Sequence, residues 1–107
     1  MKIWRPLREI FSGRRSKSKD KEILVGRLAQ SVSGRDKGMM YVITSQPDGI
    51  HVTVCDGKRR TTDKPKLKNI RHLLMSGEYI PDSFISKGRV TATDAEISAF
   101  IAENTDI

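Results

Sequence analysis

The sequence predicts a mainly β fold: a small barrel or strongly curled sheet, with a basic N-terminal arm before it and an acidic, helical extension after it. Three observations carry this. Short apolar runs separated by tight-turn signals follow one another between about residues 25 and 73. Ile50, Val52 and Val54 alternate with His51, Thr53 and Cys55, the period of two that belongs to a strand. Near the end, Thr93-Asp94-Ala95-Glu96 has the form of a capping box, with Ile97, Phe100 and Ile101 on one helical face behind it.

The 107 residues are enough for one domain, and at 36% hydrophobic they leave little apolar surface to spare. The chain divides by charge. Residues 1–22 hold eight Lys/Arg against three Asp/Glu, 23–73 hold ten against four, and 74–107 hold two against six. The segments therefore carry +5, +6 and −4, and the +7 of the whole belongs to the first two. We read 1–22 as the arm, 23–73 as the barrel and 74–107 as the acidic extension.

In the arm, Ile3, Trp4, Leu7, Ile10 and Phe11 fall near one face of a helix, although Pro6 is tolerated only in a first turn. Ser12 to Lys21 contains serine, charge and no hydrophobic residue, so it is expected to be disordered alone. In the β segment, Leu28 and Val32 are spaced for one face of a first strand. Met39 to Ile43 is apolar on both faces, as in a strand deep within a small sheet. Gly34 and Gly38 bracket a charged reversal between the two. Pro47-Asp48-Gly49 and Asp56-Gly57 mark further turns. Lys58 to Thr62 is expected as a short basic strand, and Lys68 to Leu73 as a last strand with Ile70 inward. A short helix from Pro81 or Asp82 to Lys87, stopped by Gly88, precedes the capped helix.

The charge balance, with an isoelectric point near 9.9, favours a polyanionic partner. Cys55 is the only cysteine, which excludes an intrachain disulfide and a thiolate metal cluster and fits a reducing cytosol. No apolar run approaches the ~18 residues of a membrane span, and the N-terminus lacks a signal peptide's apolar stretch. The expected location is cytoplasmic.

Catalysis finds no constellation. His51 and His72 are isolated from any ligand or acid–base spacing, and nothing flanking Cys55 would activate it as a nucleophile. Neither GxxxxGK[ST] nor GxGxxG occurs. Met39 and Met40 read as packing residues. With 6% aromatic residues, base stacking on an aromatic sheet is disfavoured. The expectation is a non-enzyme with no cofactor, no metal and no small-molecule substrate.

The cations of the β segment form the candidate binding set. Arg27 lies at its start; Arg35, Lys37 and Gly38 lie at the first reversal. Lys58, Arg59 and Arg60 follow the Asp-Gly turn, and Lys64, Lys66, Lys68 and Arg71 follow with few acids between them. If the tips at Gly34–Gly38 and Asp56–Arg60 lie near each other, they form one positive patch able to release phosphate counterions.

The ordered set Val25-Gly26-Arg27, Ser33-Gly34-Arg35-Asp36-Lys37-Gly38, the apolar run to Ile43, Cys55-Asp56-Gly57-Lys58-Arg59-Arg60 and Lys64-Pro65-Lys66-Leu67-Lys68-Asn69-Ile70-Arg71-His72-Leu73 resembles the KOW motif proteins. The likeness is to small bacterial relatives of eukaryotic-type large-subunit ribosomal proteins, and it spans close to half the chain. Many KOW motifs have a further glycine after the loop, where Met39-Met40-Tyr41 stands here. The resemblance implies an SH3-like barrel whose first hairpin loop and neighbouring cations touch RNA, often ribosomal RNA. The expectation is thus a ribosome-associated RNA-binding protein of translation, with ribosomal proteins as further neighbours and no membrane. The alternative is an adaptor that docks other proteins of the transcription or translation machinery, using the barrel and the Trp4/Phe11 face.

Overall fold

A computed structural model describes residues 23–105 and, as backbone, Arg5–Pro6. The expected disorder of Ser12–Lys21 and most of the arm lie outside the described residues. Arg5–Pro6 itself is a two-residue strand, β1, paired antiparallel with Met75 and Leu74. The helical reading of the arm fails there: Pro6 has no backbone N–H to give a helix, whereas a sheet edge tolerates it.

Five strands follow as an antiparallel sheet: β2 (Arg27–Ser31), β3 (Met40–Ser45), β4 (His51–Cys55), β5 (Lys66–Asn69) and β6 (Leu73–Tyr79). The order is β1-β6-β2-β3-β4-β5. The end strands β1 and β5 do not pair, so the ladder does not close into the expected barrel. A 3-10 turn at Ile70–His72, capped by Asn69 accepting from the Arg71 N–H (2.9 Å), joins β5 to β6.

β3 is buried on both faces, as its apolar run predicts. Tyr41 and Ile43 join Val52, Val54, Ile70, Leu73 and Met75 in one core. Val42 points the other way and meets Cys55, Ile80, Ala92 and Ile97 in a second. Alternating side chains on one strand thus serve two cores. In β2 Ala29 joins the first core and Leu28 is also fully buried, whereas Val32, just past the end of the strand, is only half-buried. Ile50 precedes β4 and is 58% exposed, so the alternation becomes a buried face only at Val52.

Three further expectations are corrected. Lys58 to Thr62 is a loop, since the Asp56 carboxylate accepts from the Lys58 and Arg60 N–H groups (both 2.9 Å) and curls the chain. The last strand starts at Leu73 and runs to Tyr79, because Ile70–His72 turns the chain and β2 offers β6 a ladder. Asp82 to Lys87 is a 3-10 turn, Asp82–Phe84, leading into a small hairpin of β7 (Ile85–Ser86) and β8 (Arg89–Val90). Lys87 at φ 52 and Gly88 at φ 76 form its tight turn, so Gly88 reverses a ribbon and ends no helix.

Helix α1 (Asp94–Thr105) starts at the expected capping box. The Thr93 N–H donates to Glu96 Oε1 (2.8 Å) and the Glu96 N–H to Thr93 Oγ1 (3.2 Å). Ile97 is buried, and Phe100 and Ile101 pack beside it against the second core. Among the described residues, no helix is long and apolar enough to cross a membrane.

Candidate nucleic-acid interface

The β2–β3 loop is built around a carboxylate. Ser31 and Met39 close it through their backbones (2.9 Å), and the Gly38 N–H donates to the Ser31 carbonyl (2.7 Å). Gly34 and Gly38 take φ of +87° and +93°, the left-handed conformations that the bracketing glycines predict. Between them Asp36 turns inward. Its Oδ1 accepts from Ser31 Oγ (2.9 Å) and Lys68 Nζ (2.7 Å), its Oδ2 from the Tyr41 hydroxyl (2.8 Å), and Lys66 Nζ lies 3.2 Å from Oδ2. Burial works against ionising Asp36, but hydrogen bonds from Lys68, Tyr41, Ser31 and Lys66 outweigh it and hold the carboxyl well below its usual 3.8. Burial, then the Asp36 carboxylate, raises the Tyr41 hydroxyl far above its usual range, so it stays a donor.

Lys66 and Lys68 reach Asp36 because of register. They pair with Val54 and Val52, whose side chains enter the first core, so the two lysines share the inner face of the sheet. Strand β5 is consequently inverted: Lys68 is 6% exposed and Leu67 is 57% exposed. Lys68 Nζ also donates to the Ser33 carbonyl (2.9 Å). The β2–β3 loop is thus tied by side chains to β5, which lies two strands beyond β3 in the sheet.

With Asp36 turned inward, Arg35, Lys37 and Gly38 are left exposed at the loop tip. Lys58, Arg59, Arg60 and Lys64 are exposed on the β4–β5 loop, and Arg71 on the 3-10 turn. The Tyr41 hydroxyl is hydrogen-bonded to the β2–β3 loop through Asp36. The acids of this region are engaged locally: Asp36 as above, Asp56 by its two N–H groups, and Asp63 by the Thr61 hydroxyl (2.6 Å).

Arg27 stands apart from this group. It is 4% exposed, stacks over the Tyr79 ring (4.7 Å) and donates to Tyr79 Oη. It also donates to the carbonyls of Ile23 (3.1 and 3.2 Å) and Ser76 (3.1 Å). Its charge serves the junction of β2 and β6.

His51 sits beside Asp48 (3.2 Å) at the β3–β4 turn, where the Asp48 carboxylate accepts from the Ile50 and His51 N–H groups (both 2.7 Å). Cys55 is buried, its thiol pushed up to about 11 by burial, and Sγ donates to the Thr61 carbonyl (3.3 Å). That environment stabilises thiol over thiolate.

Sequence reasoning missed Asp36 as an organising residue and the inward turn of Lys66 and Lys68. The available signal was Lys-Leu-Lys, which puts two lysines on one strand face, with a lone acid in the preceding basic loop to receive them. Neither protein-family models nor curated proteins match this chain.

Proposed function

We propose that this protein is a non-enzymatic RNA-binding protein, cytoplasmic and ribosome-associated, with the sheet acting as a KOW-type, SH3-like module. The observation that carries this reading is the sorting of charge in the two loops. Asp36 turns inward, Asp56 binds backbone and Asp63 takes the Thr61 hydroxyl, while Arg35, Lys37, Lys58, Arg59 and Arg60 remain outside. Such a surface suits a phosphate backbone: cations displace counterions, and arginine forks to phosphate or stacks on an unpaired base. Lys66 and Lys68 belong to the scaffold beneath the contact and Arg27 to a different junction. Because phosphate contacts position without reading bases, the expected selectivity is for RNA shape.

The test is a salt series with structured RNA stem-loops of several sequences, comparing Arg35→Ala/Lys37→Ala and Arg59→Ala/Arg60→Ala with Lys87→Asn/Arg89→Ala. Asparagine tolerates the positive φ of Lys87, so the control hairpin keeps its turn. Each loop pair should weaken binding to every sequence and flatten the plot of log affinity against log salt by about 0.7–0.9 per lost phosphate contact. The control should do much less. Equal loss in all three pairs would mean diffuse attraction with no loop site, and absence of binding by the parent would overturn the RNA reading. Co-sedimentation with ribosomal particles at low salt, lost at high salt, tests the ribosomal part separately.

A further inference from the structure

The acidic extension is expected to repel RNA, yet it touches the basic β4–β5 loop directly. Asp94, the first residue of α1, accepts the Thr62 N–H through Oδ1 (2.8 Å). This bond joins residues 32 apart in sequence. At the other end of the same loop, Gly57 (φ +81°) lies so close beneath α1 that a Cβ there would overlap the Asp94 carbonyl oxygen. It would also lie 3.0 Å from Ser98 N and 3.1 Å from Ser98 Cβ. The first turns of the helix therefore hold the loop at Gly57 and at Thr62, and Lys58, Arg59 and Arg60 occupy the exposed arc between them. The helix is itself fixed by Ile97 in the second core.

We propose that Asp94 is a positioning residue for RNA binding: through the Thr62 N–H it fixes the arc that presents Lys58, Arg59 and Arg60. The inference rests on the RNA reading above and adds to it a role for the acidic extension. Its sign is opposite to that of simple electrostatics. A carboxylate near a phosphate contact weakens binding by charge, whereas a carboxylate that pre-orders the binding loop strengthens it by lowering the ordering cost.

Two substitutions separate these effects. Asp94→Ala and Asp94→Asn both remove the negative charge, but only asparagine keeps an oxygen at the Oδ1 position to accept the Thr62 N–H. We expect Asp94→Ala to bind a structured RNA stem-loop about threefold more weakly, and Asp94→Asn to restore parental affinity or exceed it. The loss should shrink in the Arg59→Ala/Arg60→Ala background, where only Lys58 is left on the arc, and persist in full in the Arg35→Ala/Lys37→Ala background, as a thermodynamic cycle requires of a residue acting through one loop. Amide exchange at Lys58–Thr62 should quicken in Asp94→Ala with no change in the strands. Gly57→Ala, which pushes the helix off, should cost about tenfold in affinity and show the same background dependence.

Parental affinity in Asp94→Ala would overturn the proposal, as would a loss that is undiminished in the Arg59→Ala/Arg60→Ala background. If the parent binds no RNA, or Arg59→Ala/Arg60→Ala binds like the parent, the underlying RNA or loop reading fails. Those arms carry no change at Asp94, so the two failures are told apart.

Discussion

The two loops that carry the exposed cations are held in opposite ways. The β2–β3 loop is fixed from beneath by an ionic cluster: Asp36 collects two lysines and two hydroxyls on the inner side of the sheet. The β4–β5 loop has no such cluster and is held by backbone N–H groups, two on Asp56 and one on Asp94. The first arrangement is internal to the sheet, and its partners come from strands that fold with it. The second leans in part on a helix whose first residue lies 32 positions beyond Thr62. A basic loop can thus be made rigid either by burying an acid under it or by leaning it on another element. The energetic consequences differ, because loss of one member of an ion cluster leaves opposite charges without a partner, whereas loss of a cap leaves only neutral N–H groups without an acceptor.

The largest expected effect follows from breaking the cluster. Asp36→Ala would leave Lys68 nearly buried without its counter-charge and strand the Tyr41 hydroxyl, while Ser31 keeps the Ser33 carbonyl as acceptor (3.1 Å), at a cost of about 3 kcal/mol or more. Urea unfolding should show a lower midpoint at an unchanged slope. A cost within a few tenths of a kcal/mol would show that the cluster does not hold the loop.

Acid should reproduce part of this loss. The Asp36 carboxyl ionises far more readily in the folded protein than its usual 3.8. The unfolded chain therefore takes up its proton first as pH falls, and stability falls with pH. The contribution is complete above about pH 5 and is lost progressively below it, toward the folded value. The stability gap between the parent and Asp36→Ala should be constant from pH 7 to about 5 and shrink by pH 3. A gap unchanged at pH 3 would contradict the assignment.

A smaller effect is expected at the second loop. Asp56→Ala removes the acceptor of two N–H groups that water can partly replace, for a cost of about 1–2 kcal/mol. Its consequences should be local, and Cys55 supplies the probe. The thiol lies under this loop, bonded to the Thr61 carbonyl, and its raised pKa keeps it unreactive. Labelling by a thiol reagent at pH 8 in native buffer should be slow in the parent and faster in Asp56→Ala. Compared at matched global stability, Asp36→Ala should accelerate it less. Equal acceleration by both would mean that the two loops open together.

Much of the scaffold could be read from local chemistry. The glycines at 34 and 38, the period of two through Val52 and Val54, and the capping box at Thr93 each depend on neighbours in sequence. Backbone sterics and short-range hydrogen bonds act there whatever the rest of the chain does. The apolar run Tyr41-Val42-Ile43 likewise announced a strand buried on both faces. The elements misread are those whose neighbours decide them. Leu73 to Tyr79 contains Ser76, Gly77 and Glu78 and has no clear period, but β2 gives it a ladder. Pro6 has no ladder N–H to give, and the edge position beside β6 accommodates it.

The candidate site divides in the same manner. Composition and motif by themselves determined that a basic surface exists and that its cations cluster at two turns, because charge is carried by residue identity. Only the tertiary structure decided which cations face outward. Lys66, Lys68 and Arg27 look no different in sequence from Lys58 and Arg59, yet register turns the two lysines onto Asp36 and places Arg27 against Tyr79. Whether a charge meets solvent or a buried partner is fixed by residues far along the chain, 32 positions away for Lys68 and 52 for Arg27. Burying a charge is costly unless a partner is already in place, and only the folded chain puts that partner there.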